Sequence, residues 1–185
     1  EGTSNIANKM LSFLFVLDFI LALAYVVGRA AMPIDGFCQF QGLIIQWFSL
    51  AAIFWVVLMA YQMRQWIVAK KNPKRIEASM RNSMLFILIS TGIMGVALWG
   101  AGAFGPAYLW CWIKHEYQIA RFFCFDLILL ACWAMIAYYL WEVTVSINVR
   151  IKRSSMNARV LELLNTNTSI QRKLMFYVGL FVAVW

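Results

Sequence analysis

A chain of 185 residues that is 63% hydrophobic, 16% aromatic and only 13% charged cannot be a soluble domain, because too few polar residues are left to cover its surface. Its net charge of +8 would suit nucleic acid, but the basic residues lie in short loops between apolar runs and no soluble basic domain carries them. No nucleic-acid partner is expected.

The apolar runs are 10–28, 37–68, 84–104, 122–149 and 174–185. A hydrocarbon core of about 30 Å needs about 20 apolar residues in helical form. The first four runs meet that length and the fifth begins another span. The expected fold is all-α, a single polytopic transmembrane helix bundle. The start at Glu1 rather than Met, and the end at Trp185 inside an apolar run, predict a fragment of a longer protein.

The first run is longer than a signal-peptide core and carries Asp18 in its middle, so it reads as a span. A mid-span carboxylate is costly in lipid, and Asp18 is expected in an internal polar network. The second run, from Cys38 to Trp66, would rise about 43 Å at 1.5 Å per residue and must tilt or extend beyond the membrane. Gln41, Gln46 and Ser49 within it need partners inside a bundle, which predicts a central helix, with Gln46 in the same network as Asp18. The third run is rich in small residues (Ser90, Gly92, Gly95, Gly100, Gly102), read as sites of close helix packing.

In the fourth run, Cys124 and Cys132 read as small packing residues. Asp126 lies near one end of it. It can contact a ligand, pair with Arg121, or bond in protonated form to a neighbouring helix. Glu142 lies near the other end, where it can reach headgroup water. All three prolines (Pro33, Pro73, Pro106) fall between the runs.

Loop charge sets the orientation. Arg64, Lys70, Lys71, Lys74, Arg75 and Arg81 crowd the second loop, and Arg150, Lys152, Arg153, Arg159, Arg172 and Lys173 the fourth. The first and third hold only Arg29, Lys114 and Arg121. The basic loops are therefore expected in the cytoplasm, where anionic lipids attract them. Cys38 and Cys111 then face the oxidising side, which predicts a disulfide, with two free thiols as the alternative. The sequon at Asn167 falls on the cytoplasmic side, where it would not be glycosylated. His115 and the remaining thiols show no metal-site spacing, and no nucleophile–base pair is visible, so neither a cofactor nor an enzyme is expected.

Two segments are more specific. Cys38-Gln39-Phe40-Gln41-Gly42, followed by Gln46, Phe48 and Phe54-Trp55, resembles the third helix of the cyclic-AMP-receptor-like G-protein-coupled receptors, the slime-mould type. Gly105-Pro106 through Trp110-Cys111-Trp112-Ile113 is similar to that family's segment before the fifth helix. Leu17-Asp18-Phe19 is similar to its second helix, and Arg172-Lys173-Leu174 with Tyr177 to the start of its sixth. The resemblance makes the chain a fragment of a seven-helix receptor, helices two to five and part of six. It departs from the family at Ser90-Thr91-Gly92-Ile93-Met94-Gly95, where a Trp-Gly-x-Pro element is usual, and at Phe123-Cys124-Phe125-Asp126, where a Tyr-x-Pro element is usual. Both lie towards the expected ligand cavity, so the identity of the ligand does not carry over.

The resemblance implies a plasma-membrane receptor for an extracellular small molecule that signals to a heterotrimeric G protein. Gln41, Trp112, Arg121 and Asp126 become candidate ligand contacts beneath a loop held by Cys38 and Cys111. Arg64, Lys70, Arg75, Arg153 and Lys173 become candidate G-protein contacts, on the face that also meets lipid charge. A multi-span transporter or channel is the alternative, with the polar groups of the second span lining a path.

Overall fold

The computed structural model describes residues 2–71 and 73–153. Asn167, Arg159, Arg172, Lys173 and the run 174–185 lie outside the described residues. Helix α1 (Gly2–Val27) ends in a 3-10 turn at Gly28–Ala31, α2 spans Asp35–Ile67 and α3 spans Pro73–Gly100. A hairpin follows, β1 (Phe104–Ala107) and β2 (Trp110–Ile113). Then α4 (Gln118–Arg121) runs through a π-helical turn (Phe122–Asp126) into α5 (Leu127–Arg153). The fold is an all-α bundle, and the hairpin is its one departure among the described residues. The segments Asn8–Ala31, Asp35–Ile67, Glu77–Gly100 and His115–Val149 are each long and apolar enough to cross a membrane.

Helix α2 is the axis. Of its most apolar stretch 56% is buried, against 17%, 22% and 17% in the other three segments, and it packs on α1, α3, α5 and both strands. Its 33 residues rise about 50 Å, more than the hydrocarbon thickness. Phe125 of the π turn and Leu129, Cys132, Ile136, Leu140, Val143 and Ile147 of α5 face it, a spacing of three and four residues that makes one stripe. The opposite faces, such as Phe15 and Phe19 on α1, Phe86 and Ile93 on α3, and Leu130 and Trp141 on α5, are exposed and apolar, as lipid contact requires.

The glycines of α3 act where close approach demands them. Trp47 of α2 lies across Gly92 and donates its indole N–H to the Leu88 carbonyl at 3.0 Å. A Cβ on Gly92 would meet the Trp47 ring at 2.9 Å, and one on Gly95 would meet Leu43 Cδ1 at 2.9 Å. An indole ring cannot yield as a flexible side-chain end can. Gly92→Ala is expected to destabilise the bundle by about 1–3 kcal/mol, the usual range for overpacking, read as a lower melting temperature in detergent. Gly100 and Gly102 meet nothing within 4 Å of an added Cβ. They end α3 instead, with Gly102 at φ +66°, so the helix stops at Gly100 and the apolar residues after it enter β1.

At the opposite end, α2 stops when Lys70 turns to φ +53°, and the Lys71 N–H bonds back to the Gln65 carbonyl at 3.1 Å. Pro73 is the first residue of α3, where its missing N–H is no loss, rather than part of a loop. Lys9 and Glu77 pair across the starts of α1 and α3. The chain therefore runs up, down, up and down between a basic end and a disulfide end.

Candidate functional site

The disulfide end is closed by the hairpin. Its strands pair antiparallel, Phe104 with Ile113 through Ala107 with Trp110, with Tyr108 at φ +56° in the turn. Gly42 on α2 leaves room for Phe104, whose ring atoms would stand 3.0–3.1 Å from a Cβ there. The stem is held by Lys114, whose backbone N–H bonds to the Ala103 carbonyl at 2.9 Å and whose Nζ bonds to the Gly102 carbonyl at 3.1 Å.

Three links fix β2 to α2. Cys38 and Cys111 form a disulfide, both sulfurs buried, with Cα atoms 5.2 Å apart. One helical turn on, Gln41 Oε1 accepts the Cys111 N–H at 3.1 Å, while its Nε2 donates to the Ala24 carbonyl of α1 at 2.8 Å and to the Gly28 carbonyl of the 3-10 turn that follows it at 3.2 Å. Deeper still, Gln46 Oε1 accepts the Trp112 indole N–H at 2.9 Å and its Nε2 donates to the Cys124 carbonyl at 3.1 Å. At about 100° per residue, Gln41 and Gln46 stand about 140° apart around α2 with Cys38 between them. The helix therefore reaches α1 from one flank of its buried surface and the π turn from the other, and the hairpin is held by both. Gln41 and Gln46 are 3% and 0% exposed, and inside a bundle such amides are satisfied by partners or destabilise it.

Above this floor lies a charged rim. The Arg121 guanidinium sits 4.6 Å from the centroid of the Trp112 ring, a cation–π arrangement, and its Nε is 3.8 Å from Asp126 Oδ2. Trp112 packs edge-on against Phe125 at 4.9 Å. Arg121 and Asp126 are both about two-fifths exposed, so the ion pair itself adds little. His115 is turned to Gln118 at 2.6 Å.

At the basic end, Arg64 of α2 pairs with Glu142 of α5 through two nitrogens, with Nη2 to Oε1 at 3.3 Å. Both side chains are partly buried. Reversing either charge singly, as Arg64→Glu or Glu142→Arg, should lower the melting temperature, and combining the two should recover part of the loss. Additive losses would show that the pair is not an interaction.

The four candidate ligand contacts therefore divide. Gln41 and Trp112 are buried in the floor, and Arg121 and Asp126 stand at the rim. Asp18 lies on the exposed face of α1 beside Phe15, Val16 and Phe19 and is not brought to Gln46. Of the basic residues, Arg64 is committed to Glu142, Lys70 is exposed at the α2 stop, and Arg75 and Arg153 lie in the terminal turns of α3 and α5. Among the described residues no group of His, Cys, Asp and Glu could hold a metal ion.

A family model described as the slime mold cyclic AMP receptor matches residues 6–185. The chain belongs to that family. Membership and the four apolar helices make it an integral membrane protein of the cyclic-AMP-receptor-like class. No curated protein matches the chain. The two segments that carried the resemblance, around Cys38 and Cys111, are the two that the disulfide and Gln41 bring into contact.

Proposed function

We propose that the chain forms the core of a plasma-membrane G-protein-coupled receptor, in which an extracellular small molecule binds at the disulfide end and a heterotrimeric G protein docks at the basic end. The observation that carries this reading, beside the family, is a lid bonded to the axis of the bundle. The hairpin is joined to α2 by a disulfide and two buried glutamines, so a molecule touching the rim is mechanically connected to the longest helix. Arg121 and Asp126 are the rim groups offered to a ligand, whereas Gln41 and Trp112 act through the floor they hold.

Coupling needs only that the ligand favour one packing of α2 against α5 over another. Arg64–Glu142 stands where a change in that packing would be felt, beside the basic residues offered to the G protein and to anionic lipid. The test is nucleotide exchange on a G protein in membranes containing the full-length receptor, with candidate small molecules or cell extract applied from the disulfide side. Stimulated exchange supports the reading. Solute flux without exchange would instead identify a transporter or channel.

A further inference from the structure

The helix that carries the rim has an irregularity with a consequence at its far end. Arg121 and Asp126 are five residues apart. On an α-helix five residues turn through about 500°, which would leave the two side chains roughly 140° apart. They meet at 3.8 Å because Phe122–Asp126 is a π turn, in which the Leu127 N–H bonds to the Phe122 carbonyl, five residues back. A single π turn in an otherwise α-helical segment amounts to one extra residue. In the middle of this one, the Cys124 carbonyl accepts the Gln46 amide, a side chain from the buried face of another helix.

We infer that the π turn is an inserted residue held open by Gln46, and that it sets the rotational phase of the rim against the rest of α5. Beyond the turn, α5 presents Leu129, Cys132, Ile136, Leu140, Val143 and Ile147 to α2 and Glu142 to Arg64. Before it, Arg121 lies over Trp112. Winding the five residues into regular α-helix, with the chain length unchanged, would rotate one side relative to the other by about 100°, one residue's worth. The rim contacts and the α2 stripe are both satisfied only while the extra residue stays in the turn. Gln46 is thus a positioning residue, reaching Trp112 with its oxygen and the turn with its nitrogen. Where the receptor reading holds, a ligand that disturbs this amide has a direct way to turn Glu142 against Arg64. The inference about phase stands on geometry alone and is tested without any ligand.

The test compares two single-residue deletions in the full-length protein. Removing Phe123, an exposed side chain inside the π turn, leaves Arg121 and Asp126 four residues apart, the spacing that shares a face on an α-helix. The helix then closes to regular form with both ends in register. Removing Ala134, an exposed residue further down, swings everything after it by about 100° and takes Glu142 and its stripe off α2. The ΔPhe123 protein should form the Cys38–Cys111 disulfide and melt within about 5 °C of the parent, whereas ΔAla134 should fall by more than about 10 °C or fail to fold. Adding Gln46→Met should also lower the melting temperature less in ΔPhe123 than in the parent, because no π turn is then left for the amide to hold. A merely structural Gln46 would lower both equally. Equal damage or equal tolerance in the two deletions, or a larger loss in ΔPhe123, overturns the inference.

Discussion

Cys111→Ser should lower the stability of the bundle by about 2–3 kcal/mol and leave the hairpin held to α2 by its two glutamine links alone. The bond closes 73 residues of chain, for which loop entropy alone gives about 4 kcal/mol. Insertion of the intervening helices in the membrane already restricts those residues, so the effect is smaller than in a soluble chain. Reduction of the parent protein should produce the same shift, which separates loss of the bond from the effect of a serine hydroxyl in a buried site. Thermal melts of the oxidised parent, the reduced parent and Cys111→Ser give the comparison. Superimposable melts for all three would mean that the lid is held without its disulfide.

Gln41→Leu should cost about 2–4 kcal/mol, comparable to the disulfide although no covalent bond is lost. Leucine fills similar space but cannot bond the Cys111 N–H or the Ala24 and Gly28 carbonyls, and a buried orphan donor carries its full desolvation penalty in addition to the bond. Gln39→Leu is the control. Gln39 Oε1 accepts from the Trp99 indole at 3.0 Å in an exposed setting, where water replaces the lost partner, and under about 1 kcal/mol is expected. Melting temperatures rank the two, and hydrogen exchange at the Cys111 amide localises the effect. If both variants melt alike, Gln41 is not the joint between α1, α2 and the lid.

Much of the architecture was legible because hydrocarbon imposes simple rules. Length and apolarity located four crossing segments, and a long second run with Gln41, Gln46 and Ser49 marked the central helix. Gly92 and Gly95 meet Trp47 and Leu43 as small-residue packing expects, while Gly100 and Gly102 serve a different end, stopping α3. The hairpin was missed because its strands are only four residues long and one contains Pro106; their pairing depends on α2 beneath them. The π turn carries no composition of its own, since five apolar and acidic residues suit either winding and a distant amide selects one.

The candidate site was legible as residues and not as roles. Gln41 and Trp112 were singled out, but which side of a cavity wall they occupy is decided by the helix face opposite them. Arg64 and Glu142 were each visible as charges near span ends. Their pairing depends on α2 and α5 being neighbours, and one chain read in order does not contain that adjacency. Asp18 shows the converse. A mid-span carboxylate signals a polar partner, yet neither its spacing nor its neighbours says from which side the partner comes.

The tip of the hairpin is free of all these obligations. Tyr108 and Leu109 are 81% and 59% exposed, while every bond that fastens the lid is made by β2 or by the stem behind it. An antibody or engineered binder can therefore grip the protein by this knuckle, or a short epitope can be grafted there, without loosening the bundle. Such a handle would also report on which side of the bilayer intact cells display it.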